Sequence, residues 1–251
     1  KYDWTGLSGL MYKSLPASLA AFILVFAGVM AFAFSVGFDL EKMVHTGHLF
    51  EGIAIGTIGL LILLPNVARM WYFTILKPKV KVPFKKYVKS MGELFIHMFT
   101  HKRALGCDDN QFRWFEHFIL VIGYLSLLFT TVVLNWFGTS SLFVIILGYV
   151  MSAIVFVVTI DFVSSRVKKK KELSKHSQPS DIFFVVWLFL MGFTAFLVRL
   201  FIDLDILEGN KWLYIFHLTV LVQWALIIVP FGKWTHFLYR SFAMYFAKLK
   251  E

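Results

Sequence analysis

The sequence predicts an all-α membrane protein: a bundle of six transmembrane helices with an amphipathic helix in the cytoplasmic loop between the second and the third. Three observations predict it. The 251 residues are 59% hydrophobic, 18% aromatic and only 16% charged, and a mean hydropathy of +0.73 lies far outside the range of soluble domains. Apolar runs long enough to cross about 30 Å of hydrocarbon recur along the chain. The basic residues, finally, crowd into alternate loops.

The runs fall at roughly 16–36, 49–76, 115–137, 142–163, 182–201 and 212–238, the last passing through Pro230 and Gly232. Each is read as a helix, because lipid leaves the polar edges of an open sheet without partners. Together they form one transmembrane domain covering residues 1–251. Twenty-one of the 25 Lys and Arg lie before the first run, between the second and third, between the fourth and fifth, or past Pro230 at the end of the sixth. Basic loops stay cytoplasmic. The expectation is therefore a multi-pass protein of the cytoplasmic membrane with both termini inside. The alternate loops hold Lys42 and Lys211 among Asp39, Glu41, Asp203, Asp205 and Glu208.

The net charge of +10 and isoelectric point near 9.6 suggest nucleic acid only in a soluble chain; here the lysines mark sidedness, and no nucleic-acid partner is expected. A single cysteine, Cys107, excludes an internal disulfide framework and a cysteine-ligated iron–sulfur cluster held by this chain alone. No signal peptide is visible. The inner-loop stretch "FKKYVKSMGELFIHMFTHKR" reads as an amphipathic helix whose aromatics and Met lie against lipid or a partner. "RVKKKKELSKHSQ" reads as a solvated loop facing anionic headgroups.

The eight histidines sort by depth. His176, in the basic loop, and His97 and His101, on the amphipathic helix, read as surface residues, because a lone i, i+4 pair without an acidic partner is weak evidence for a metal. The other five stand at the edges of hydrocarbon, where a titratable ring costs free energy and marks a functional candidate. His117 in "RWFEHFILVIGYL" and His236 near the end of the sixth run share the inner side. His217, near the start of that run, shares the outer side with His45 and His48 of "EKMVHTGHLFEGIAIGTIG". Imidazoles approaching from different helices at one depth hold a low-spin b-type haem between them. One such set falls at each face, so two b haems are expected. At 100° per residue, Gly52, Gly56 and Gly59 lie within about 60° of one another on the face of His45 and His48, which lets a flat macrocycle approach the backbone or serves a plain helix contact. Depth favours His48 and angle favours His45; His48 is taken as the ligand. The nineteen residues from His217 to His236 span roughly 28 Å of helix as an upper bound.

The stretches "RWFEHFILVIGYLSLLFTTVV" and "FHLTVLVQWALIIVPFGKWTHFLYR" resemble the membrane cytochrome b subunits related to the nitrate reductase gamma chain. Relatives of that type occur in membrane-bound heterodisulfide reductase, the sulfite-reduction-associated complex and the quinone-interacting membrane-bound oxidoreductase complex. The likeness covers the third to sixth runs. It departs from the gamma chain at Leu127, ten past His117, where that chain carries a further histidine on the same helix, so His45 or His48 must serve. Six spans resemble best the C subunit of the quinone-interacting complex, in which a domain with two iron–sulfur clusters precedes the membrane part.

The resemblance implies two b haems, exchange of electrons with a membrane quinone or methanophenazine, and cytoplasmic partners bearing iron–sulfur clusters and flavin. The chain is then the quinone-reactive subunit of a multisubunit oxidoreductase. Its quinone site is expected at the outer end, among His45, Glu51 and Asp203, because quinone chemistry moves protons together with electrons. Arg199 pairs with an outer haem propionate or snorkels to water, and Arg69 does likewise at the inner haem. The basic inner loops and the segment 84–101 offer a docking surface for an acidic soluble subunit. Two other classes compete: a six-helix transporter or channel with a histidine proton relay, against which no pseudo-repeated halves are apparent, and a cofactor-free membrane anchor.

Overall fold

The computed structural model describes residues 3–100, 111–130, 141–168 and 179–251. His101, Cys107, His176 and residues 131–137 of the predicted third span lie outside the described residues. Within them every regular element is helical: α1 (Leu7–Lys13), α2 (Leu15–Ser35), α3 (Leu40–Leu76), α4 (Phe84–Thr100), α5 (Gln111–Leu128), α6 (Leu142–Lys168), α7 (Pro179–Asp203), α8 (Glu208–Phe231) and α9 (Thr235–Lys250). Helices α2, α3, α6, α7 and α8 are long and apolar enough to cross a membrane, and α5 carries a shorter apolar stretch, Trp114–Leu128.

The two largest boundary differences from the sequence reading each have a local reason. Helix α3 begins at Leu40 rather than near 49, because the Asp39 carboxylate caps it by accepting from the Lys42 N–H at 3.1 Å. That bond holds the Asp39 carboxyl below the usual carboxylate range. Hydropathy misses this turn because its residues are polar, yet a cap and helical propensity are enough to form it. At the other end of the chain, the sixth run does not continue to 238. It stops at Phe231, where Pro230 withholds an N–H and Gly232 turns extended (φ −97°, ψ −165°), and residues 235–250 form the separate helix α9. His217 and His236 therefore sit on different helices.

Proline also explains three π-helical segments, Gly59–Leu63, Tyr72–Leu76 and Trp224–Ile228. Each ends two residues ahead of a proline, at Pro65, Pro78 and Pro230. A proline ring collides with the carbonyl four residues back and cannot bond it, so the preceding turn widens. For Pro65 the abandoned carbonyl is that of Leu61, and the Trp4 indole N–H donates to it at 2.9 Å. Next to it, the Asn66 side chain accepts from the Trp4 backbone N–H at 3.0 Å and donates to the Tyr239 hydroxyl at 2.8 Å. The N-terminal segment, α3 and α9 are thereby tied at one point.

Helix α8 is the centre of the bundle. Of its apolar 18-residue window 61% is buried, against 17% to 28% in the other four long helices. Gln223 on α8 accepts from the Trp187 indole of α7 at 3.1 Å and donates to the Phe22 carbonyl of α2 at 3.0 Å, so one buried amide joins three helices. Around this axis α5, α6 and α7 pack at Val155, which is 1% exposed. A Cβ built on Gly192 of α7 would stand 2.9 Å from Val155 Cγ1 and 3.0 Å from the Phe156 backbone nitrogen, and one on Gly123 of α5 would stand 3.0 Å from Val155 Cγ2. Small residues at these crossings let the helices meet, as membrane interiors require. Helix α4 lies on α9, burying Leu94 against Tyr245, Phe246 and Leu249, while the Tyr245 hydroxyl donates to the Tyr87 carbonyl at 3.1 Å.

Gly192→Ala pushes a methyl against backbone that cannot yield. It should cost about 1–3 kcal/mol and lower the thermal midpoint of the detergent-solubilised protein, whereas an unchanged midpoint contradicts the close crossing. Asn66→Ala, which leaves the Trp4 N–H and the Tyr239 hydroxyl unpaired, should cost a similar ~1–3 kcal/mol in the same measurement.

Candidate functional site

Helices α3, α5, α7 and α8, with Trp234, line a half-open cavity of about 220 Å³. Its lining runs from Glu51 and His217 past Ile58, Gly59 and Tyr124 to Trp234. Gly59 faces open space, with no atom within 4 Å of where a Cβ would stand, and Ala54, Ala195 and Ala225 also lie on the wall. Small side chains, together with the widened Trp224–Ile228 turn, keep the walls apart. Tyr124 is anchored by the Trp224 indole N–H, which donates to its hydroxyl at 2.9 Å.

The His217 end of the cavity brings together residues that the sequence reading pairs. His48 of α3 lies within range of the charge on His217. His48 presents Nδ1 to the Glu51 carboxylate at 3.4 Å, and His217 presents Nδ1 to the Thr194 hydroxyl at 2.8 Å. Both rings thus engage one nitrogen with a neighbour on the protein. An imidazole held by one nitrogen offers the other to a metal, the arrangement by which ligating histidines are oriented. His48 and its alternative His45 are both exposed.

Around the same end, Arg199 does not point to water alone. Its guanidinium donates to Asp203 at 2.8 and 3.2 Å, and the Tyr149 hydroxyl donates to the same carboxylate at 2.5 Å. Asp203 is therefore committed to two donors, whereas Glu51, 20% exposed at its side chain, stands beside His48 and on the cavity wall. Of the three acid–base candidates at this end, Glu51 has the closest access to the cavity.

The other pair stands on α5 and α9. His117 lies within range of the charges of His236, Arg166 and Arg240, and His236 within range of Arg240 and Lys233. Both residues are exposed. Lys233 is itself ion-paired to Asp181 of α7. Arg69, expected here, stands apart from them: its guanidinium lies over the Phe73 ring, 5.8 Å from the centroid, on an exposed stretch of α3. The cations that reach the His117–His236 pair are Arg166, Arg240 and the ion-paired Lys233. Arg240 was legible as the residue one turn after His236 in "THFLYR"; Arg166 was not, because only the packing of α6 beside α5 brings it near.

His97 departs from its reading as a surface histidine. It is 6% exposed, with Nε2 3.2 Å from the Glu93 carboxylate, because α4 turns that face toward the rest of the protein while Phe95, Ile96 and Phe99 remain exposed.

The donor set suits haem. Each end offers two imidazoles from two different helices, one end opens on a cavity with a glycine wall, and cations that match propionates stand beside the other. No family model matches the chain, and no curated protein or solved structure matches it. The functional reading therefore rests on the residues themselves.

Proposed function

We propose that the chain is a dihaem b-type cytochrome subunit that carries electrons across the cytoplasmic membrane, between a quinone-type carrier at the outer face and a cytoplasmic iron–sulfur and flavin partner at the inner face. It is the membrane subunit of a multisubunit oxidoreductase. In this reading the chain crosses the membrane six times, with both termini cytoplasmic. One observation supports it: His217 lies within range of the charge of His48, and His117 within range of that of His236, in each case from a different helix.

Two b haems, one on each pair, supply reversible one-electron storage at the two faces. The chain's own residues do the rest. His48 and His217 hold the outer group and His117 and His236 the inner one, while Arg166 and Arg240 balance propionate charge at the inner face. Glu51, beside the outer pair, takes and releases at its carboxylate the protons that accompany quinone oxidation and reduction; His45 lines the route to water. Arg199 and Tyr149 hold Asp203 as a fixed carboxylate, which makes it a scaffold for that end more than a proton carrier. On the inner side, the lysines of 77–89 and the exposed Phe84, Val88, Met91 and Phe95 of α4 form the docking face for an acidic soluble subunit and for anionic lipid.

The dithionite-reduced spectrum of the purified protein should carry b-type bands, and a pyridine haemochrome assay should count two haems per chain. A reduced spectrum without those bands sinks the proposal. His117→Ala or His236→Ala should each remove one haem and His217→Ala the other; loss of both or of neither contradicts the pairing. Glu51→Gln should keep both haems yet slow their reduction by a quinol analogue by about 10²-fold, read by stopped-flow absorbance, and an unchanged rate removes Glu51 from the proton path.

A further inference from the structure

The bond between Thr194 and His217 contains more information than its length. Thr194 is fully buried, 0% exposed, on α7, so its hydroxyl has only protein to bond to. It lies 2.7 Å from the Leu190 carbonyl one turn back and 3.5 Å from that of Met191. A hydroxyl owns one proton, and a carbonyl can only accept. The short bond to Leu190 uses that proton, the usual back-bonding of a helical threonine. What remains on Oγ1 is lone-pair density, so the 2.8 Å contact with His217 is made by a proton on the ring: Nδ1–H donates to Thr194.

We infer that Thr194 is a positioning residue that fixes His217 in its Nδ1-protonated form and so leaves Nε2 as the ring's one lone pair, turned away from α7 and available to the cavity. No bond among the described residues engages Nε2. The consequence deepens the proposed function and rests on it. An imidazole whose Nδ1–H is bonded to an acceptor is a stronger donor to iron, which favours the oxidised metal, so Thr194 lowers the potential of the haem that His217 holds. The two members of the outer pair are unequal in this respect: His48 has a carboxylate at Nδ1, His217 a neutral hydroxyl. The hydroxyl sets orientation without adding a charge to the hydrocarbon interior. Nothing in the sequence flags Thr194, because it lies twenty-three residues from His217 on a different helix.

The test uses the full chain labelled with ¹⁵N-histidine, in detergent and reduced, with His217→Gln identifying the His217 signals. The wild type should give an Nδ1-protonated ring whose N–H proton is shifted downfield and exchanges slowly, as a hydrogen-bonded proton does; Thr194→Ser should keep that shift, and Thr194→Val should keep the proton on Nδ1 but lose the shift. In redox titrations Thr194→Val should shift one haem to higher potential and leave the other in place, with Thr194→Ser restoring the wild-type value. A wild-type His217 protonated at Nε2, or a Thr194→Val protein with unaltered Nδ1–H shift and potentials, overturns the inference. If Thr194→Val does not fold, the shift and exchange of the wild-type Nδ1–H decide it alone. A protein without b haem defeats the proposed function instead, and the nitrogen spectrum still reads the tautomer.

Discussion

Hydrocarbon offers no hydrogen bonds, and this constraint organises the molecule. A polar group inside the span must find its partner within the protein, so each buried polar side chain becomes a link between helices. Gln223 joins α2, α7 and α8. Asn66 and Trp4 close the gap that Pro65 opens in α3. Thr194 takes one nitrogen of His217. Against that background a ring nitrogen left facing a cavity is a costly feature, and the cost is understandable where something else bonds it.

The same constraint accounts for the shape of the cavity. Helices in lipid approach one another through small residues, and Gly123 and Gly192 bring α5, α6 and α7 together at Val155. Gly59 is small for the opposite reason, since its face meets nothing. The widened turn ahead of Pro230 lies on the same wall. Tight contact on one side of the bundle and a held-open space on the other come from the same residue type, distinguished by what stands opposite.

Much of this was legible in the chain. Hydropathy located the long helices, and depth along them sorted the histidines into two sets before any contact was known. The break at Gly232 is written as Pro230 and Gly232, yet the apolar run passes through both, because a helix-breaking pair does not declare whether the chain resumes along the same axis. The start of α3 was missed because capping by Asp39 acts through one bond that an average over apolar residues ignores. The burial of His97 and the approach of Arg166 and Thr194 to the histidines depend on which helices become neighbours. That choice is made by long-range packing at Val155 and along α8, and no periodicity within one segment reports it.

Helix α8 then has a defined part in the account. It is the most buried of the long helices, it carries His217, and its broken end hands the chain to α9 and His236, so the two pairs are fixed relative to one another through a single element. In the proposed function each pair binds one iron between two imidazoles, and electron paramagnetic resonance of the oxidised protein tests this most directly. Two low-spin ferric signals of the bis-histidine type are expected, with each lost on replacing a member of its own pair; high-spin signals alone, or a protein silent for haem, would contradict it.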